Sequence, residues 1–206
     1  MQTSAQLPRP GADLLGTVDA RFVPAPEIGA WVRNTFLDYE SPLCNEDHAH
    51  LVDAYIGFLW TNVTNSSKGQ TVLGTCQLGK PTGMPWPKGQ QEQQRREWFG
   101  RIPDFVIILD AEYFARCSEA EACALVEHEL YHAGRAYDQW GEPRFTEDGD
   151  PVWKINPHDI EEFAGVIERY GAEPTHTKRI KRAFENGPTI ADVAIRSMCG
   201  ICLKVA

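Results

Sequence analysis

Apolar residues recur at helical spacing from Pro26 onward. Ile28, Trp31, Val32 and Phe36 fall on one face and predict a helix through Leu37. Leu51, Ala54, Tyr55, Phe58 and Leu59 trace a second, wider stripe, which predicts a helix over about Asn45 to Trp60. Thr71 to Leu78 is β-prone, with its alternation interrupted at Gly74. The stretch PTGMPWPKGQQEQQRREW, rich in Pro, Gly and Gln, reads as a long loop. In DFVIILD, Phe105 to Leu109 form a short β-branched apolar run, the pattern of a strand buried on both faces. The strongest helix lies in ARCSEAEACALVEHELYHAGRAY, opened by a capping box of Ser118 and Glu121. Two short apolar segments around Asp148-Gly149 signal a hairpin. A further helix follows, with Asn156 as N-cap, Pro157 as first residue, Gly171 as stop and a stripe of Ile160, Phe163, Ile167 and Tyr170. Residues 1–25 show no period and read as a flexible arm, and TKRIKRAFE is a basic helical piece in the tail.

Composition narrows the function. The chain has 206 residues, 42% hydrophobic and 24% charged, enough for one substantial core. A formal net charge of −9 argues against binding nucleic acid by phosphate neutralisation. No apolar run is long enough to predict a membrane span. The first twenty residues lack a basic start followed by an apolar run, so no secretory signal is expected. The six cysteines are therefore expected to be reduced thiols in a cytoplasmic protein. Cys199 and Cys202 form a lone C-x-x-C without the second pair that a structural zinc site needs. His48 and His50, two apart, point to different sides of their segment and read as ordinary.

The chemistry concentrates in VEHELYHA. His128 and His132 are four apart on the predicted helix, so their imidazoles can converge on one ion. Glu129 is rotated by one step and can reach a water held by that ion, as a general base. The spacing H-E-x-x-H thus predicts two zinc ligands and a catalytic carboxylate from one helical turn.

A third ligand must come from elsewhere. Asp138 has the spacing of a metzincin's last ligand, but Arg135 occupies the position where that motif needs glycine. The segment PHDIEEF offers His158, Asp159, Glu161 and Glu162. By rotation Asp159 faces the buried stripe most directly, while His158 sits at a helix start that favours the neutral imidazole a metal needs. The preferred set is His128, His132 and His158, with Asp159 orienting an imidazole and Glu162 as the rival ligand. Glu161 reads as an ordinary first-turn acid.

The succession TVLGTCQL, DFVIILD, ALVEHELYHA and HDIEEFAGVIERYG resembles the family named putative phage metallopeptidases, over roughly Glu27 to Gly171. The resemblance implies an α+β fold: a compact zincin-like domain with a small sheet and an active-site helix. It implies a domain over residues 26–172, an extension over 173–206, a Zn²⁺ cofactor and hydrolysis of peptide bonds in a polypeptide substrate, in the host cytoplasm if phage-encoded. In such a fold the strand Phe105–Leu109 would offer an open edge to an extended peptide. Tyr131, Tyr137 or Tyr170 would stabilise the oxyanion. Two other functions compete: a catalytically silent metal-binding or host-factor-binding regulator, and a non-peptide amidase. Oligomeric state has no signal in the sequence.

Overall fold

A computed structural model describes residues 6–67, 70–158, 177–187 and 198–199. It is a mixed α/β structure built on one main sheet. Strands β1 (Phe22–Pro24), β2 (Ile56–Thr61), β5 (Phe105–Asp110) and β4 (Gln70–Leu78) lie side by side in that order, and β3 (Asn65–Ser67) pairs with the first residues of β4. β2 and β5 are parallel; β1 and β4 run antiparallel to them. Phe58, Ile107 and Cys76 lie opposite one another across the three central strands and so share a face. That face carries the core, with Leu109, Phe105 and Trp60 also buried on it.

Helices cover both faces. The helix α1 (Ala12–Leu15) is one turn. α2 (Pro26–Val32) continues into a π-helical turn, Arg33–Leu37, and buries Ile28, Trp31, Val32 and Phe36 as their spacing predicted. α3 (Pro85–Phe99) lies on the opposite face, where the Phe99 ring fills the space that a Gly57 side chain would need. α4 (Ala111–Phe114) leads to α5 (Glu119–His132), which opens with the expected reciprocal box between Ser118 and Glu121. A two-stranded ladder of β6 (Ala133–Arg135) and β7 (Trp153–Ile155) follows. Between them the chain turns at Gly149, in the left-handed region at φ 86°, where the Asp148-Gly149 signal lay.

Near the C-terminus, a helix spans Thr177–Asn186 and a short strand β8 (Met198–Cys199) joins the main sheet, parallel to β4. Gly74 pairs with Leu109 of β5 and with Cys199 of β8, so these two strands lie on opposite edges of β4.

Four expectations are corrected. The segment 45–60 is not one helix but a 3-10 turn, Glu46–Leu51, followed by β2. Its apolar run IGFLWT is buried from Gly57 to Thr61, and a short run buried on both faces carries no period that separates strand from helix. The presumed loop at 81–98 is mostly α3. Pro85 starts it, Gly100 ends it at φ 76°, and Glu92 pairs with both Lys88 and Arg96 one turn away. It is polar almost all round, so no apolar stripe announced it. Residues 6–25 are not a flexible arm: Leu7 and Leu14 are buried, β1 pairs with β2, and the Arg9 guanidinium donates to the Cys117 carbonyl at 2.9 Å. Finally, β5 has no open edge, because β2 and β4 flank it. The predicted helix that follows Pro157 lies outside the described residues.

Candidate metal centre

Helix α5 packs on the core face of the sheet with Ala122, Leu125, Val126 and Leu130 buried. Its last turn carries His128, Glu129 and His132. The helix stops at His132 because Ala133 turns to extended backbone, φ −79° and ψ 98°, and enters β6. The β6–β7 ladder then returns the chain. Ala133 is opposite Ile155, and the Asn156 N–H donates to the His132 carbonyl at 2.8 Å, one step further along. Two residues later, His158 arrives beside the helix end.

The result is a cluster in which His128, His132 and His158 each bring a ligating nitrogen within 4.8 Å of the others. The His128 and His158 Nε2 atoms are 3.3 Å apart. His132 is buried and directs Nδ1 to the Asn156 carbonyl at 2.7 Å, which places the proton on Nδ1 and leaves the Nε2 lone pair for a ligand. Burial holds His128 down at about 4, helped by the neighbouring His132 and His158. Burial also lowers His132, against the opposing effect of its bond to Asn156. These imidazoles are neutral near pH 7, the form that binds a metal. The donor set fits a divalent transition metal: three imidazole nitrogens and a tautomer locked from behind.

Glu129 is fully buried. Its carboxylate lies against β4 at Gly74, where an added Cβ would stand 2.7 Å from Oε1. Gly74 is therefore the strand residue that makes room for Glu129, and the break in alternation at that position was its only sequence signal. Asn156, the N-cap expected of a helix that lies outside the described residues, also ties back to α5. Its side-chain amide donates to the Tyr131 carbonyl at 3.0 Å, and a side chain at Gly134 would strike it. That explains a glycine at 134 rather than at the metzincin position.

The turn Glu46–Leu51 braces the same helix from outside, a role the sequence did not suggest for His48 or His50. His48 is buried, its ring edge-on to Tyr131 with centroids 4.6 Å apart and its Nε2 3.7 Å from Glu127. His50 Nε2 lies 2.8 Å from the Ala133 carbonyl. Asn45 donates to the Glu127 carboxylate at 2.6 Å and to the Tyr131 hydroxyl at 2.9 Å, and that hydroxyl donates to Asp47 at 3.0 Å. Tyr131 is thus engaged by the brace. Tyr137 is exposed beside a bridge to Pro143, and Tyr170 lies outside the described residues. Asp138 does not join the histidines: its carboxylate accepts from the backbone of Trp140 and Glu142, each at 2.9 Å. Asp159, Glu161 and Glu162 lie outside the described residues.

Cys44, Cys117 and Cys123 are free thiols, and burial pushes Cys123 up to about 11. Among the described residues no helix is long and apolar enough to cross a membrane.

Three imidazoles and a buried carboxylate at the end of one helix define the class: a mixed α/β protein with a candidate metal centre. The family profile described as "Putative phage metallopeptidase" matches residues 29–185, and the chain belongs to that family. The match runs beyond Gly171, into the helix Thr177–Asn186. No curated protein and no solved structure matches the chain.

Proposed function

We propose that this protein is a zinc-dependent metallopeptidase with His128, His132 and His158 as ligands and Glu129 as general base. The observation that carries the reading is the convergence of three imidazole nitrogens within 4.8 Å beside a buried glutamate on the same helical turn. Two ligands of a tetrahedral zinc with bonds of about 2.0–2.1 Å stand about 3.3–3.4 Å apart. The His128 and His158 Nε2 atoms are 3.3 Å apart, in support of that ion. Zinc, when bound, supplies Lewis acidity toward a carbonyl oxygen and toward water.

The chain's own residues do the rest. The Asn156 carbonyl keeps the His132 proton on Nδ1, so Nε2 stays available. The Glu129 carboxylate takes a proton from the attacking water and passes it to the leaving amine as the peptide bond breaks. Gly74, lacking a side chain, leaves the space that this carboxylate occupies. The working division of the chain is a catalytic domain over 26–172 with an extension over 173–206, and the substrate class is polypeptide.

The test is Glu129→Gln. Zinc content should stay near one per chain while cleavage of a denatured protein falls by at least 100-fold. Equal cleavage by both forms, or none by the zinc-loaded native chain, would remove the peptidase reading.

A further inference from the structure

The outer edge of β4 is taken by the chain's own tail. β3 and β5 lie on one side of β4: Val72 is opposite Asn65 and Gly74 is opposite Leu109. On the other side, Val72 is opposite Met198 and Gly74 is opposite Cys199. Gly74 is also the residue whose missing side chain admits the Glu129 carboxylate. A single residue of β4 therefore touches the candidate base through its open face and holds the C-terminal strand through its backbone.

We propose that the segment around Met198–Cys199 is a built-in competitor for the polypeptide on which the site acts. This rests on the peptidase reading and adds to it where the substrate docks and what opposes docking. The physical reason is the chemistry of a strand edge. Backbone N–H and C=O groups along one side of β4 accept any extended chain, with little regard for side chains. A neighbouring strand lies about 4.8 Å away, so a chain on this edge runs alongside the position facing Glu129. Among the described residues the ladder is two residues long, a hold that another polypeptide can displace. The segment nevertheless has the advantage of covalent attachment, which makes its pairing intramolecular, at an effective concentration that a free polypeptide must exceed. Substrate must outcompete it, and anything that draws the tail away raises activity.

The pairing is through the backbone, so proline at the paired position is the specific probe: it removes the N–H and disfavours a paired strand. The binding experiment uses the full-length, zinc-loaded chain carrying Glu129→Gln, so that bound peptide is not consumed. The probe is a fluorescein-labelled peptide with the sequence of residues 196–201, serine replacing its cysteine, followed by anisotropy. Adding Cys199→Pro should tighten peptide binding at least tenfold, whereas Cys199→Ser should leave it within twofold. With Glu129 restored, Cys199→Pro should raise hydrolysis of a denatured protein severalfold at unchanged zinc content, and excess free peptide should reverse the gain. Equal affinity with and without the proline, or no binding to either form, overturns the proposal. The anisotropy arm needs no turnover, so its failure is distinct from failure of the peptidase reading, which is judged by Glu129→Gln alone.

Discussion

His132 and Asn156 are joined twice: the Asn156 N–H donates to the His132 carbonyl at 2.8 Å, and His132 Nδ1 donates to the Asn156 carbonyl at 2.7 Å. A third tie runs from the Asn156 amide to the Tyr131 carbonyl at 3.0 Å. This latch binds the end of α5 to the segment that delivers His158. Removing the side-chain tie with Asn156→Ala should weaken zinc affinity by roughly 10-fold, the lower end of the range for outer-shell partners. Competition against a chromophoric chelator measures it. An unchanged affinity would mean that the two backbone bonds suffice.

Gly74 and Glu129 make a second prediction. An alanine at 74 would place its methyl 2.7 Å from the glutamate oxygen, and β4 cannot retreat because β5 is hydrogen-bonded to it. Misplacing a catalytic group by about 1 Å costs roughly 100-fold in rate. Gly74→Ala should therefore lower kcat by that order while zinc content holds. A variant with full turnover would show that the carboxylate does not act from this place.

The rival ligands separate by substitution. His158→Ala should abolish tight zinc binding, whereas Glu162→Gln and Asp159→Asn should lower affinity by no more than about 100-fold, as outer-shell changes do. Loss of zinc in the Glu162 variant with retention in the His158 variant would reverse the assignment.

Without metal, stability should depend on pH through His128. Its folded-state value, about 4, lies below the ordinary 6.5 because burial disfavours the imidazolium. The unfolded chain therefore binds more protons between those values, so stability falls as pH drops from 6.5 toward 4 and is flat above. Burial shifts His132 in the same direction. The denaturation midpoint of metal-free protein, measured across pH 4 to 7, should decline in that window. Saturating zinc should raise the midpoint by mass action, most strongly near neutral pH, where protons do not compete. A metal-free midpoint that rose on acidification would contradict the burial of these rings.

The brace is a matter of stability rather than chemistry. Asn45 caps the turn Glu46–Leu51 by accepting from the Asp47 N–H at 3.0 Å, and its amide serves both Glu127 and Tyr131. Asn45→Ala should cost about 2 kcal/mol in urea unfolding, from one lost cap and a bond to a charged group. Zinc affinity per folded molecule should change little.

Local chemistry is what the sequence by itself determined. Ser118 and Glu121 start α5, the apolar run of β5 marks a buried strand, and four-residue spacing sets His128 and His132 on one face. Each depends on neighbours within a turn or a short run, so each was legible. The segments that misled were those whose local pattern is degenerate. IGFLWT, buried on both faces, shows no period, and the polar helix α3 shows no stripe. The sequence favoured His158 among four neighbouring candidates, but its meeting with His128 and His132, the room made by Gly74, the Asn156 latch and the tail strand on β4 were decided only by tertiary structure. They join residues from 24 to over 120 positions apart. Such contacts follow from ladder registers and strand order, which no window of the chain encodes.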